Sequence, residues 1–223
     1  SSTISGEGKT FLALNLAGII AYTGKKVIVL DLDMRKPKIH LGFGIKNVKG
    51  MSSLLIGKEE IKNCINKSEL TGLDFITAGP LPPNPSELIV SQKFKNVIAE
   101  LKKEYDTIVI DNPPVGLVTD GIPVLQMADY PIYVFKSNFS RKNFIQNVDR
   151  LINENNLEKL SVVLNGVDTS RSGYGRRYSY GYHYGYGYGY GYGYGSKSSY
   201  SSYYSEDDTN KKSIFDKIFK RKK

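Results

Sequence analysis

Short apolar runs rich in β-branched residues recur along the first three quarters of the chain. They alternate with longer stretches in which Leu, Ile, Val and Phe return every three or four residues. The short runs have the composition of strands buried in a parallel sheet, and the longer stretches have the spacing of helices. The predicted strands are residues 27–30, 73–76, 107–110, 132–135 and 161–164, and the predicted helices are residues 10–22, 86–104 and 141–155.

This alternation predicts a doubly wound α/β domain over residues 1–168, with a mostly parallel sheet and helices on both faces. One expected element has no place in the sequence. A phosphate-binding loop, described below, normally follows a strand, whereas this chain opens inside the loop. We therefore expect the domain to be truncated at its amino end, with at least its first, central strand lying before Ser1.

The composition changes abruptly after residue 168. Thirteen of the 17 tyrosines lie between residues 174 and 204, and residues 184–194 alternate strictly between Tyr and Gly. Such a sequence offers no aliphatic side chains for a core and would lose much backbone entropy on ordering. We therefore predict a disordered tail over residues 169–205.

The positive charge of the protein belongs mostly to its carboxyl-terminal part. Residues 1–168 hold 20 basic and 18 acidic side chains, whereas residues 169–223 hold 11 basic and 4 acidic ones, so the net charges are +2 and +7. A nucleic-acid-binding domain would carry a basic face of its own, so the near-neutral body argues against that class. Residues 206–223 are predicted to form a basic amphipathic segment, with an apolar helical face of Ile214, Phe215, Ile218 and Phe219.

The sequence also excludes several classes of protein. A single cysteine, Cys64, cannot form an internal disulfide or a four-cysteine zinc site. No uninterrupted apolar run approaches the roughly 18 residues that a membrane-spanning helix needs, and the first residues show no export signal. We therefore expect the chain as given to be a soluble intracellular protein that its core stabilises.

Residues 6–10 (GEGKT), followed by an apolar helix, have the pattern that ends a phosphate-binding loop. Glycines let backbone N–H groups approach phosphate oxygens, the lysine reaches the β- and γ-phosphates, and the threonine hydroxyl ligates Mg²⁺. The first position of the GxxxxGK[ST] pattern is Thr3 here and not glycine. The alternative interpretation is a simple Gly-Lys turn before a helix.

Acidic residues end two of the predicted strands. Asp31 and Asp33 follow the strand at 27–30, and Asp111 follows the strand at 107–110. The carboxyl ends of strands in an open α/β sheet face the crevice in which ligands bind. An aspartate at a strand end also commonly caps the next helix, so each acid alone is weak evidence. Three acids together with the loop predict a P-loop NTPase-like domain that binds a nucleotide and Mg²⁺.

Together, these motifs resemble the bacterial tyrosine kinases (BY-kinases) of capsular and exopolysaccharide biosynthesis. The extra lysine of the partitioning and cell-division ATPases, in the pattern KGGxGKT, is replaced here by Ile4. The resemblance covers essentially the whole chain, including the terminal tyrosine cluster. The matching segments are residues 5–10 (SGEGKT), 27–40 (VIVLDLDMRKPKIH), 72–88 (GLDFITAGPLPPNPSEL), 105–115 (YDTIVIDNPPV) and 162–168 (VVLNGVD).

The resemblance implies a role for each matching residue. Asp31 would accept the proton of the tyrosine hydroxyl and, with Lys9 and Asp33, form the catalytic group. Mg²⁺ would be held by Thr10, Asp33 and Asp111. The residues implied to bind ATP are Ser5, Gly6, Glu7, Gly8, Lys9, Thr10 and Phe11. The implied phosphate acceptors are Tyr174, Tyr178, Tyr180, Tyr182, Tyr184, Tyr186, Tyr188, Tyr190, Tyr192, Tyr194, Tyr200, Tyr203 and Tyr204.

The implied function is an ATP-dependent protein-tyrosine kinase that autophosphorylates its tail, mainly between subunits, and regulates polysaccharide polymerisation and export. The implied partners are further copies in a ring, a transmembrane co-polymerase activator, a protein-tyrosine phosphatase and an anionic membrane surface, and no nucleic acid is expected. The implied location is the cytoplasmic face of the bacterial inner membrane. Two alternatives stay open: a nucleotide-dependent scaffold of the export complex without kinase activity, and a nucleic-acid-binding ATPase.

Overall fold

The computed structural model describes residues 1–116 and 121–168, in which strands and helices alternate. The tail and the basic segment predicted from the sequence lie outside the described residues. The strands are β1 (Val27–Asp31), β2 (Asn66–Lys67), β3 (Leu73–Ile76), β4 (Thr107–Asp111), β5 (Ile132–Lys136) and β6 (Ser161–Asn165). The helices are α1 (Lys9–Tyr22), α2 (Ile39–Phe43), α3 (Met51–Leu55), α4 (Ile61–Cys64), α5 (Pro85–Val90), α6 (Gln92–Leu101), α7 (Ile122–Met127) and α8 (Phe144–Asn155).

The strands form two hydrogen-bonded sheets. The first has the order β2-β3-β1-β4, in which β1 runs parallel to β3 and β4 while the short β2 is antiparallel. The second pairs β5 with β6 in parallel. The mostly parallel α/β fold predicted from the sequence is therefore confirmed, and each predicted strand lies within one residue of its observed bounds.

A groove of about 550 Å³ separates β4 from β5. It is lined by apolar side chains of α1 and by both facing strands, including Leu16, Ile108 and Ile132. Ser2 forms a parallel bridge with Val134, and its carbonyl accepts a hydrogen bond from the Val115 N–H at 2.9 Å. Among the described residues no strand lies between β4 and β5, and the additional central strand expected from the sequence stays a prediction.

β1 is buried along its whole length and contributes to two apolar cores. Ile28 and Leu30 belong to a cluster that includes α6, whereas Val27 and Val29 belong to a second cluster that includes α1. Successive residues of a strand point to opposite faces of the sheet, so both faces of β1 are covered. Its sequence therefore has no polar position before Asp31, where the strand reaches the edge of the core.

The helix predicted over residues 86–104 is in fact two helices, α5 and α6, so that prediction was wrong in detail. The break lies at Ser91, whose backbone is extended and whose hydroxyl accepts a hydrogen bond from the Phe94 N–H at 3.2 Å. Serine favours this N-cap position because its side chain satisfies a backbone donor that a helix start leaves free. Helix α8 likewise begins at Phe144, three residues later than predicted.

Two other features of the described residues concern the single cysteine and membrane-spanning helices. Cys64 is fully buried, and burial raises the pKa of its thiol. None of the helices in this part of the chain combines the length and the apolar character needed to cross a bilayer.

The second core predicts a large effect of truncating Phe75, which is 1% exposed and stacks on Phe43 with ring centroids 3.8 Å apart. We expect Phe75→Ala to lower the free energy of unfolding by about 3–5 kcal/mol, because it removes buried apolar contacts and leaves a cavity. Denaturant unfolding measures this loss. The matched control is Leu81→Ala, at a side chain 66% exposed, with an expected change below about 0.5 kcal/mol. Equal losses in the two variants would show that Phe75 does not anchor the core.

Candidate functional site

The loop before α1 presents free backbone donors. Gly6 and Gly8 have φ angles of 97° and 99°, in the left-handed region that glycine adopts without strain. Gly8 is the N-cap of α1 and provides no side-chain cap. Within the described residues, the backbone N–H groups of residues 6–10 donate to no protein acceptor. Unpaired donors at a helix N-terminus form an anion site, and an oxygen of a phosphate is the natural acceptor.

The departure from the phosphate-loop pattern at Thr3 has a structural explanation. Thr3 is 3% exposed, and its hydroxyl is hydrogen-bonded to the Tyr133 hydroxyl at 2.9 Å. Its φ angle lies outside the left-handed region, so the position does not require glycine. Thr3 thus anchors the start of the loop to β5.

Thr10 and Asp111 join the loop to the edge of the sheet. The Thr10 hydroxyl donates a hydrogen bond to Asp111 Oδ2 at 2.5 Å. Asp111 in turn pairs in register with Asp31 across the β1–β4 ladder. The first turn of α1 therefore lies against the carboxyl ends of two neighbouring strands, as the sequence predicted. Lys9 lies beside them and is 9% exposed.

Asp31 is the most deeply buried of the acids. It has no exposed surface, and its carboxylate accepts hydrogen bonds from the backbone N–H groups of Asp33, Lys38 and Ile39 at 3.1–3.2 Å. Burial, and then the neighbouring charges of Asp111 and Asp33, raise the pKa of Asp31 to about 8, although two of these backbone donors oppose the rise. Burial also raises the pKa of Asp111, against the opposing effects of Thr10 and Lys9.

Asp33 lies nearer the surface than Asp31. It is 9% exposed, and its Oδ1 accepts a hydrogen bond from the Lys36 N–H at 3.1 Å. Arg35 follows it and donates a hydrogen bond to the Ser86 hydroxyl at 3.4 Å, which links this segment to α5. The two acids of the same segment therefore differ in access, with Asp33 the one that solvent reaches.

This set of groups fits a nucleotide with Mg²⁺. Within the described part of the chain, no group of three or more His, Cys, Asp or Glu side chains could hold a metal by itself. Mg²⁺ with a nucleotide does not need such a group, because it is usually held by one or two protein oxygens, waters and phosphates. A hydroxyl already placed on a carboxylate, beside a row of free N–H groups, provides the protein's part of that arrangement.

The other predicted site residues lie in different surroundings. Ser5 is half-buried at the surface of the loop, and Phe11 is 50% exposed on α1. Glu7 has no exposed surface, and its carboxylate is directed to Ile4 and Ser140 and not to the free donors. All thirteen predicted acceptor tyrosines lie outside the described residues.

Sequence reasoning missed two residues that contact the loop. Asn165 ends β6 and donates a hydrogen bond to the Glu7 carbonyl at 3.0 Å. A Cβ atom added at Gly8 would lie 2.1 Å from the Asn165 side chain, so the glycine is required by close approach as well as by its φ angle. Ser140, after β5, contacts the Glu7 carboxylate. Asn165 could have been found as the polar residue at the end of an apolar strand, whereas Ser140 gives no such signal.

Comparison with known proteins places these observations in a family. The family described as an AAA domain matches residues 3–162. The putative tyrosine-protein kinase CapB of Staphylococcus aureus is 36% identical over 176 residues, which are 78% of this chain and 77% of CapB. The tyrosine-protein kinase wzc of Salmonella typhimurium is also 36% identical, over 75% of this chain but only 23% of its own length. This chain thus spans about a quarter of the Salmonella protein.

A solved structure supports the same grouping. The kinase domain of the Escherichia coli tyrosine kinase ETK is similar to this chain with a TM-score of 0.71 and 31% identity, covering 84% of this chain and 71% of that domain. The phosphate loop, the strand-end acids and the sheet order described above therefore occur in a fold already seen in such a kinase. The chain belongs to the bacterial tyrosine-protein kinase family.

Proposed function

We propose that this chain is the catalytic domain of an ATP-dependent protein-tyrosine kinase that phosphorylates its own tyrosine-rich tail. The observation that carries this proposal is the contact of the Thr10 hydroxyl with Asp111, which in turn pairs with Asp31. In this arrangement Thr10 and Asp111 would provide oxygens for Mg²⁺, and Asp31 would provide a carboxylate base, all beside the phosphate-binding loop. Relatives named as tyrosine-protein kinases support the choice of substrate.

Each residue of the site has a part in the binding of ATP and Mg²⁺. The N–H groups of residues 6–10 would hold phosphate oxygens, and Lys9 would offset the charge of the β- and γ-phosphates. Thr10, Asp33 and Asp111 would hold Mg²⁺, which supplies charge stabilisation to the phosphates when it is bound. Catalysis of this kind depends mainly on positioning and on charge stabilisation.

Asp31 is the proposed acceptor of the phenolic proton. As the tyrosine oxygen bonds to the γ-phosphorus and the bond to ADP breaks, this proton passes to the carboxylate. An aspartate with a pKa raised to about 8 is a stronger base than an ordinary one, and it matches the operating pH better. Asp33 is the more accessible of the two acids, at 9% exposure, and would hold Mg²⁺ on the solvent side of Asp31.

The tail is the proposed substrate because of where the described domain ends. Asn165, at the end of β6, lies within hydrogen-bond distance of the phosphate loop, and the tail begins only a few residues later. We propose that tyrosines of the tail enter a phosphate-binding loop, their own or that of an adjacent subunit. We propose transfer mainly between subunits arranged in a ring.

Phosphorylation would act as a charge switch. Each phosphotyrosine carries about −1.5 to −2 charges, so several would reverse the net +7 of residues 169–223. Subunits would then repel each other or leave an anionic membrane surface. This switch would regulate capsular or exopolysaccharide polymerisation and export at the cytoplasmic face of the inner membrane, together with a transmembrane activator and a phosphatase.

The nucleotide-dependent scaffold without kinase activity is the second candidate. A buried carboxylate with a raised pKa beside the phosphate loop favours the kinase, since a scaffold needs no base at that position. The near-neutral body argues against the nucleic-acid-binding ATPase. Measurement of phosphotyrosine in the complete protein separates the kinase from both.

Replacing Lys9 with Met is expected to abolish ATP-dependent phosphotyrosine, because it removes the cation that faces the phosphates and keeps a side chain of similar length. Phosphotyrosine is measured in the complete, assembled protein, and the melting temperature without nucleotide is expected to stay unchanged. The control is Lys25→Met, which removes an exposed lysine just beyond α1. A phosphotyrosine signal as strong in Lys9→Met as in Lys25→Met would contradict the catalytic role of Lys9.

Asp31→Asn is expected to lower phosphoryl transfer more than nucleotide affinity, because an amide cannot accept the proton. With Mg²⁺ present, the wild-type transfer rate is expected to rise with pH as Asp31 ionises, over a range below the pKa of about 8 that the metal-free site gives it, and this rise is expected to be lost in the variant. Asp111→Asn, by contrast, is expected to weaken Mg²⁺-dependent nucleotide binding. Transfer rates between pH 6 and 9 and affinities with and without Mg²⁺ measure both. Identical profiles for the two variants would show that the division of roles is wrong.

Mass spectrometry of the ATP-treated complete protein is expected to find phosphate on the tyrosines between residues 174 and 204. Exposed tyrosines of the body, Tyr22 and Tyr130, are internal controls, since they are 64% and 79% exposed but belong to the folded domain. A variant with all thirteen tail tyrosines changed to Phe is expected to remain more oligomeric after ATP treatment. Phosphate confined to tyrosines of the folded domain, or an oligomeric state that does not change with ATP, would contradict the proposed charge switch.

A further inference from the structure

A charged residue lies in the middle of the phosphate-binding loop but is turned away from the ligand side. Glu7 Oε2 accepts a hydrogen bond from the Ile4 N–H at 2.8 Å, and Oε1 accepts one from the Ser140 hydroxyl. Ser140 Oγ in turn accepts a hydrogen bond from the Lys136 N–H at 2.8 Å. A continuous chain of hydrogen bonds therefore runs from the end of β5 through Ser140 and Glu7 to the start of the loop.

The direction of the Glu7 carboxylate has an electrostatic consequence. A carboxylate that faced the free N–H groups would occupy them or repel a phosphate. A buried carboxylate is also unfavourable unless hydrogen bonds replace its water. Glu7 has no exposed surface, and the Ile4 and Ser140 donors replace that water on the side away from the ligand. Ser140 is the one of these two donors that lies outside the loop.

Two further close approaches join the middle of the loop to residues of the second sheet or just after it. A Cβ atom added at Gly6 would lie 3.2 Å from the Phe139 ring, and Asn165 donates to the Glu7 carbonyl. Residues 6–8 of the loop thus lie close to side chains that follow β5 or end β6. Asp31 and Asp111, by contrast, belong to the four-stranded sheet. The loop is the point at which the two sheets meet at the site.

We propose that Ser140 is a positioning residue for the ATP site, which acts through Glu7. By holding the carboxylate against β5, it keeps the N–H groups of residues 6–10 turned together toward the phosphates. Ser140 touches neither nucleotide nor substrate, so its role is not catalytic. The inference rests on the proposed function only in that the ligand of the loop is ATP.

A purely structural role of Ser140 is the competing explanation. Its own N–H donates to the Lys136 carbonyl at 2.9 Å, and its hydroxyl accepts from the Lys136 N–H, so the residue also closes the turn after β5. Loss of that turn would lower stability without a specific effect on ATP binding. The two roles therefore differ in which measurement changes.

The test compares Ser140→Ala with Ser140→Thr, which keeps the hydroxyl, and with Ser137→Ala in the same turn. ATP affinity, transfer rate against ATP concentration and the melting temperature without nucleotide are measured in the complete protein. We expect Ser140→Ala to weaken ATP binding by about tenfold, or about 1.4 kcal/mol, because the Glu7 carboxylate is then no longer held away from the N–H groups of the loop. Ser140→Thr should restore most of the affinity, and Ser137→Ala should leave it unchanged.

A second variant, Glu7→Gln, tests whether Ser140 acts through the charge of Glu7. An amide at this position still accepts from Ile4 and donates to Ser140, but it carries no charge. Ser140→Ala leaves a buried carboxylate without its donor only in the wild type, so adding Ser140→Ala to Glu7→Gln should cost much less affinity than it costs in the wild type. An equal loss in both backgrounds, or a lower melting temperature with unchanged ATP affinity, would overturn the positioning role. If Ser140→Ala does not fold, Ser140→Thr with less than half of the wild-type ATP affinity would also overturn it.

The affinity measurement keeps the two proposals apart. A wild-type protein that binds ATP but forms no phosphotyrosine would contradict the kinase proposal, and the effect of Ser140 on ATP affinity would still be decided. A wild-type protein that fails to bind ATP would contradict both.

Discussion

The hydrogen bond from Thr10 to Asp111 is the contact on which the arrangement of the site depends. It joins the first turn of α1 to the carboxyl end of β4, and the β1–β4 register places Asp31 beside it. Both residues of this hydrogen bond are held in place, because α1 packs against the core on one face of β1 and β1 is buried along its length. The position of the Thr10 hydroxyl, the proposed Mg²⁺ ligand, is thus a consequence of core packing. Changes that shift α1 along the sheet would separate the hydroxyl from the acid without touching either residue.

The same packing forces two carboxylates into one buried edge, which is unfavourable for folding. Burial, and to a smaller extent like charges, raise the pKa values of Asp31 and Asp111, and the backbone donors to Asp31 offset only part of that effect. A raised pKa means that the folded state binds more protons than the unfolded state between the two pKa values, so these acids make the fold less stable as pH rises over that range. Mg²⁺ would remove this disadvantage by favouring the ionised forms. The strand-end acids are therefore better explained by ligand binding than by stability.

The sequence allowed the strands, their parallel arrangement and the strand-end acids to be predicted, because each depends on local patterns. Apolar runs give β1, β3 and β4, and an acid just after an apolar run marks the ligand edge of the sheet. The break at Ser91 was missed because the apolar spacing continues through it, and the N-cap of α6 outweighs that spacing. Contacts such as Ser140 with Glu7 join residues 133 positions apart, and nothing in either local sequence indicates the pairing.

Glu7 illustrates how a residue can fit a motif for a different reason from the one that the motif suggests. The phosphate-loop pattern leaves this position open, and a negative charge there is unfavourable for an anion site. The structure removes the conflict by turning the carboxylate toward the second sheet, and the glycines on either side, Gly6 and Gly8, leave the space for Phe139 and Asn165 to approach. Residues after β5 and at the end of β6 therefore contact the loop, whereas β1 and β4 carry the acids beside it. The distance between the N–H groups of the loop and the acids of the four-stranded sheet therefore depends on how the two sheets are held together.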